Sequence, residues 1–203
     1  MGVARPSAVV KIGGSLLDWP LLPGRLSAYL AGRATERLVL VVGGGRAADW
    51  VRDLDQVHDF PPARSHALAL RALDLTARTL ASLLPNLEVV DDPGAIGECW
   101  ATGTLPVLAP RRFLDRLERE ARDPLPHSWD VTSDAIAARL AVELRAPEVA
   151  LLKSAPLPTG ADRAEAARLG LVDLAFRDAA KSLPVVTYVN LRDDRPGVRT
   201  LPT

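Results

Sequence analysis

Val9-Val10-Lys11-Ile12-Gly13-Gly14-Ser15 sets a single lysine in a short apolar run that ends in paired glycines. Such a run, rich in β-branched residues and closed by glycine, predicts a buried strand over Ala8 to Ile12. Its exit, Lys-x-Gly-Gly, suits a phosphate. Glycine lets the backbone approach an anion closely, and a lysine ammonium is a compact charge that reaches one oxygen in a tight space. Of 25 basic residues only Lys11, Lys153 and Lys181 are lysine. An arginine-rich composition would also leave three lysines behind. For Lys153, which ends the run Val149-Ala150-Leu151-Leu152, phosphate handling and compositional remainder both stay open. Lys181 lies in a late polar stretch and is expected to be solvated.

Beyond this stretch strand and helix signals alternate. Arg37 to Val42 is the clearest strand and closes on Gly43-Gly44-Gly45. Further strands are predicted over Leu87 to Val90, Leu105 to Leu108, Val149 to Leu152 and Val185 to Val189. Helical spacing covers Leu21 to Ala31, Ala47 to Val57, Pro110 to Arg122, Val131 to Leu144 and Asp173 to Ser182. A long helix runs from Ser65, read as its cap, to Leu84, with Pro85 as the stop. The segments Asp123-Pro124-Leu125-Pro126 and Ala155 to Gly160 read as loops. Strands with little polar alternation, separated by helices, predict an α/β fold with a mainly parallel sheet covered on both faces.

The 203 residues suit one domain, 48% hydrophobic and 25% charged, with a formal net charge of zero. This is no electrostatic footprint of a nucleic-acid binder. The basic cluster from Arg111 to Arg122 is interleaved with acids and reads as a solvated helix face. Cys99 is the only cysteine, so no intrachain disulfide or cysteine metal cluster forms. The start of the chain has no signal-peptide pattern, and no run approaches the roughly 18 apolar residues of a membrane helix. A cytoplasmic protein is expected.

Both glycine clusters follow strands, which puts them at the carboxyl edge of the sheet, where ligands bind in open α/β folds. The helices that follow offer first-turn N–H groups and a positive dipole end. Ser15 adds a hydroxyl. Two such turns suggest two anionic groups, a donor and an acceptor; tight turning alone is the competing explanation. A third element, His127-Ser128-Trp129-Asp130-Val131-Thr132-Ser133-Asp134, leads into a helix. Asp130 and Asp134 stand one helical turn apart and would share a face. They serve as helix caps, or they orient lysines or hold magnesium through water. There is no G-x-x-x-x-G-K-[ST], so this is not a P-loop protein. Gly43-x-Gly45-x-x-Ala48 fits the loose dinucleotide fingerprint, but Pro61 to Leu70 lacks the second acidic strand end that this binding mode needs.

Strand–Lys-x-Gly-Gly-Ser near the start, a second strand ending in three glycines, and an acidic Thr132-Ser133-Asp134 helix start resemble the amino acid kinase family over residues 8 to about 155. The resemblance implies a three-layer αβα sandwich that moves the γ-phosphoryl group of ATP, with Mg2+, to a small molecule. It further implies that Lys11 contacts the transferring phosphoryl, Gly13, Gly14 and Ser15 the ATP phosphates, and Gly43, Gly44 and Gly45 the acceptor. Asp134 would orient the lysines. The single domain 1–203 would divide into an acceptor part, about 1–125, and a shortened nucleotide part, about 126–203. A homo-oligomer, dimer or higher, is implied by the same analogy.

Two departures stand out. Family members carry Thr-Asp where this chain has Lys153-Ser154, and many carry a later Gly-Met-x-x-Lys lysine that is missing here. Either Lys153 supplies that charge beside the nucleotide, or the fold is catalytically degenerate and binds a ligand or partner. Leu151-Leu152-Lys153-Ser154 and Ser128-Trp129-Asp130-Val131-Thr132-Ser133-Asp134 resemble a short subgroup more narrowly. That subgroup includes a kinase of an aminomethylfuran phosphate in methanofuran biosynthesis, part of tetrahydromethanopterin-linked one-carbon metabolism. By that likeness His66 and Asp74 would contact the acceptor; Arg46, immediately after the three glycines, would meet a substrate phosphate, and Asp130 is a further candidate contact. Ordinary alternatives are a first-turn helix residue for His66, a solvated Asp74 and a surface charge for Arg46.

Overall fold

The computed structural model describes residues 5–120 and 125–203. Its strands are β1 (Ala8–Ile12), β2 (Leu38–Val42), β3 (Leu87–Val90), β4 (Leu105–Leu108), β5 (Glu148–Lys153), β6 (Val185–Asn190) and β7 (Arg199–Thr200). They form one sheet in the order β3-β4-β2-β1-β5-β6-β7. The first six pair in parallel, and β7 adds an antiparallel edge. Every residue of β1 and β2 is buried. That is why these strands read as continuous apolar runs rather than alternating ones.

The helices are α1 (Leu22–Ala31), α2 (Gly45–His58), α3 (Pro62–Leu83), α4 (Ile96–Ala101), α5 (Pro110–Glu120), α6 (Ser133–Glu143), α7 (Arg163–Arg168) and α8 (Phe176–Ala179). Val10, Leu40 and Leu152 face α1 and the late turns of α3 through Leu26 and Leu80. Val9, Val41 and Leu151 face the opposite way, onto α6 through Ile136 and Leu140, and onto Phe176 of α8. The result is a three-layer αβα sandwich. From β1 the chain proceeds to β2 on one side; from β5 it proceeds to β6 on the other. The strand order therefore reverses between β1 and β5, and a crevice opens beyond their carboxyl ends.

Several local expectations are corrected. The long helix begins at Pro62 rather than Ser65, since proline is at ease in a first turn that needs no N–H partner. Ser65 is no cap: its hydroxyl donates to Asp55 at 2.8 Å. The helix expected from Val131 begins at Ser133. Of Asp173 to Ser182 only Phe176–Ala179 is helical, while α4, α7 and β7 are additional. Cys99 is fully buried in the core. On α5, Arg111, Arg112 and Arg116 pair with Asp74, Asp91 and Asp92. The Arg122 end of that helix, its charges beyond Leu117 and the Asp123-Pro124 turn lie outside the described residues.

Candidate active site

Lys11 projects from the face of β1 that α6 covers, the face that also carries Val9. Lys11 lies opposite Leu151 in the β1–β5 register. Lys153, two residues further along, therefore projects from the same face, one step nearer the carboxyl edge. The first turn of α6 brings Asp134 over both. Lys11 Nζ lies 2.8 Å from Asp134 Oδ1. Lys153 Nζ donates to Asp134 Oδ2 at 2.7 Å. Side-chain exposure is only 4% for Lys11, 14% for Lys153 and 6% for Asp134. Residues 11, 134 and 153 thus meet at the switch point of the sheet.

Burial drives the Asp134 carboxyl upward, but the ammoniums of Lys11 and Lys153 together reverse this and hold it at about 2. Burial pushes Lys153 down to about 8; Asp134 opposes that shift and Lys11 adds to it. One carboxylate between two ammoniums leaves a net positive charge in a water-poor crevice, where its pull on an anion is stronger than at the surface.

Thr132 does not cap α6 with its own side chain. The cap comes from Asp173, far along the sequence. Its Oδ2 accepts from Thr132 N at 3.0 Å, Thr132 Oγ1 at 2.8 Å and Ala135 N at 2.9 Å. Asp173 thereby fixes the turn that presents Asp134. Burial and the charge of Asp134 raise its own pKa, against the hydrogen bonds it accepts. Asp130 does not share a face with Asp134. It lies before the helix, exposed, with its backbone N–H donating to Ser128 Oγ at 3.2 Å.

The two glycine turns interlock. A Cβ on Gly14 would stand 2.2 Å from Gly45 N, and Gly45 itself has φ +51°. Close packing of one turn on the other therefore demands glycine before any ligand is considered. The same contact sets the N-terminus of α2, which has no side-chain cap, beside the β1 exit. Ser15 Oγ and Ser154 Oγ are 2.8 Å apart and tie the first turn to the end of β5. Arg46 is mostly exposed and pairs with Asp18 at 2.8 Å.

Two neighbouring cavities open on the α2–α3 side. One, about 410 Å3, is lined by Gly14, Ser15, the three glycines 43–45 and Ser133, among others. The second, about 600 Å3, continues outward past Asp55, Asp59, Phe60, His127 and Ser128. Arg52, His66 and Trp129 line both. The His66 and His127 rings stack with centroids 4.2 Å apart. The Trp129 indole N–H donates to Asp55 Oδ2 at 2.6 Å, and Arg52 stands 4.6 Å over the Trp129 ring. The hydrogen bonds from Trp129 and Ser65 hold the Asp55 carboxyl below its usual range.

Asp74 lines neither cavity. It accepts from the backbone and side chain of Arg111, both at 3.2 Å, and so anchors α5 to α3. Asp55, Arg52 and Asp173 were not singled out from the sequence. Asp55 and Arg52 sit mid-helix at ordinary surface spacing, and Asp173 acts across 41 residues, so no local pattern marks them. Among the described residues no group of three or more His, Cys, Asp or Glu is arranged to hold a metal ion. Asp134 is already engaged by two lysines. A magnesium ion therefore fits here only as part of a metal–nucleotide complex, carried on phosphate oxygens. No helix among the described residues is long and apolar enough to cross a membrane.

The model of the amino acid kinase family matches residues 7–157. A [5-(aminomethyl)furan-3-yl]methyl phosphate kinase from Methanocaldococcus jannaschii is 29% identical over 142 residues, 70% of this chain and 62% of that kinase. The chain thus spans about three fifths of that relative's length. UMP kinase from Ureaplasma parvum shares the fold with a TM-score of 0.66 at 13% identity, over 95% of this chain and 93% of that one. Aspartate kinase from Synechocystis gives 0.66 at 16%, over 98% and 40%.

Proposed function

The chain belongs to the amino acid kinase family, and from that membership we propose an ATP-dependent kinase that phosphorylates a small phosphate monoester. The preferred acceptor is an aminomethylfuran phosphate. The observation that carries this is the Lys11–Asp134–Lys153 cluster, with both ammoniums within 2.8 Å of one buried carboxylate. Phosphoryl transfer asks little covalent chemistry of a protein; it needs positioning and charge neutralisation.

In this account Asp134 holds the two ammoniums side by side, and Asp173 holds Asp134. Lys11 and Lys153 face the γ-phosphoryl group as charge gathers on its oxygens. The acceptor's phosphate oxygen attacks phosphorus, the bond to the β–γ bridging oxygen breaks, and the electron pair leaves with ADP. Magnesium, when bound with the nucleotide, supplies further neutralisation of the phosphates. The acceptor's own phosphate lies in the glycine-walled cavity at the N-terminus of α2. Its flat ring and ammonium extend into the outer cavity, where Trp129 and the His66–His127 stack offer flat faces and Asp55 an ionised carboxylate. The 29% identity to the aminomethylfuran phosphate kinase supports the same acceptor class.

The test is a coupled ADP-release assay with magnesium-ATP and a panel of acceptors: the aminomethylfuran phosphate, UMP, aspartate and simple phosphate monoesters. Turnover is expected with the aminomethylfuran phosphate, and at a rate lower by about 10²–10³-fold in Lys11→Ala. ATP binding without turnover of any acceptor would favour the degenerate, ligand-binding alternative.

A further inference from the structure

β6 continues one residue past its last pair, with Leu191 N donating to Lys153 O at 2.8 Å. This fixes Arg192 at the carboxyl edge, immediately beyond the strand that flanks Lys153. From there its guanidinium reaches back across β5 to β1. One terminal nitrogen donates to Ser15 O at 3.1 Å, and the guanidinium carbon lies 5.8 Å from the centre of the Trp19 ring. Its backbone N–H is held by Asn190 Oδ1 at 3.2 Å. The side chain is exposed, yet aimed at the turn that follows Lys11.

Charge separates Arg192 from the other cations at this edge. Lys11 and Lys153 share Asp134, Arg46 pairs with Asp18, Arg52 with Asp49 and Arg25 with Asp194. Among the described residues no carboxylate pairs with Arg192. It spends one of its five N–H donors on Ser15 O, and the rest of the fork is available. A nucleotide triphosphate brings more negative charge than the single net positive charge of the lysine cluster offsets. Arg192 also lines neither of the two cavities on the α2–α3 side. It faces the Ser15–Ser154 side of the edge instead.

We infer that Arg192 is a nucleotide-binding residue: its guanidinium caps the Ser15–Ser154 side of the crevice and grips the phosphate chain of ATP. This rests on the kinase proposal above. Planar, bidentate contact with phosphate oxygens is the task for which a guanidinium is shaped.

Magnesium-ATP is titrated calorimetrically into the wild-type chain, Arg192→Ala and Arg192→Lys, alongside a titration with the aminomethylfuran phosphate. Circular dichroism checks that the variants fold. Arg192→Ala is expected to weaken ATP binding by at least about tenfold, Arg192→Lys by less, and neither to change acceptor binding. Added guanidinium is expected to restore part of the loss in Arg192→Ala. Unchanged ATP affinity in Arg192→Ala overturns the inference, as does a loss confined to the acceptor. If Arg192→Ala loses ATP while the wild type binds it but phosphorylates no acceptor, Arg192 keeps its role and the kinase reading fails. If the wild type binds no ATP, both fail.

Discussion

Two long helices, α2 with 14 residues and α3 with 22, wall the β2 side of the carboxyl edge; α7 and α8, on the β6 side, have six and four. The long pair seats Leu73 and Leu80 of α3 on the sheet and leaves side-chain-lined cavities between the helices and the glycine turns. The short pair packs its apolar residues Ala166 and Phe176 down into the core, so what lies above that side of the edge is loop and charge. Shape does the selecting where the walls are tall. On the other side Ser15, Ser154 and Arg192 offer hydroxyls and a cation, suited to phosphate and indifferent to the rest of a ligand. Under the proposed function the tall-walled side would discriminate the acceptor, and the low, charged side would hold the nucleotide.

The sharpest way to break that contrast is to remove the charge at its boundary. Asp134→Ala leaves two buried ammoniums facing each other without a counter-ion. Breaking a buried charge pair in this way costs about 3–5 kcal/mol, so the midpoint of urea unfolding should fall steeply. A midpoint near that of the wild type would mean that water already reaches the lysines. Gly14→Ala strikes the boundary by shape instead. Its methyl would meet Gly45 N at 2.2 Å, and overpacking of this kind costs about 1–3 kcal/mol or more. Gly24→Ala, where nothing stands within 4 Å, is the control and should be neutral or slightly stabilising. Equal stability of the two variants would show that the turns do not interlock.

A pH profile sharpens the nucleotide side. Lys153 titrates near 8 because burial disfavours its charge. If its ammonium is needed, kcat/KM falls as pH rises through about 8, and the limb disappears in Lys153→Arg. In kcat the limb should lie higher, since bound phosphate holds the proton. Stability runs the other way. The folded value lies below the ordinary 10.5, so the cost of burying the charge is relieved between about 8 and 10.5, and this group's contribution rises with pH there. A flat kcat/KM profile through pH 8 would remove Lys153 from the chemistry. The smallest expected effect is on the acceptor side. Trp129→Phe deletes the hydrogen bond that fixes Asp55 in the wall of the outer cavity and should raise KM for the acceptor modestly with kcat nearly unchanged. A fall in kcat alone would place Trp129 nearer the reacting atoms than the cavities do.

Much of the fold was legible because parallel strands buried on both faces must be apolar throughout. β1 and β2 announced themselves in that way, and the glycines after them marked where the chain turns. β7 and α7 did not, for a two-residue edge strand and a six-residue helix are too short to show a period. Asp173 looked like the start of a helix; its carboxylate instead turns back to cap α6, and the helix begins only at Phe176. In the site, the residue types Lys11, Lys153 and Asp134 were readable, and the family resemblance implied that Asp134 orients the lysines, but residue spacing alone did not give their meeting. It depends on the β1–β5 register and on α6 crossing above it. Asp55 and Arg52 acquire their places only when α2 and α3 close around Trp129, a contact 74 residues apart in sequence.

On the proposed reading Lys11, Asp134 and Lys153 form a phosphoryl-transfer centre. Its most direct test follows phosphoryl transfer from magnesium-ATP to the aminomethylfuran phosphate by 31P NMR, in the wild type and in Lys11→Ala. The account predicts a new diphosphate signal and ADP from the wild type, and a rate lower by about 10²–10³-fold in the folded variant, the scale of losing one charge-stabilising donor. Equal rates in the two proteins would contradict it.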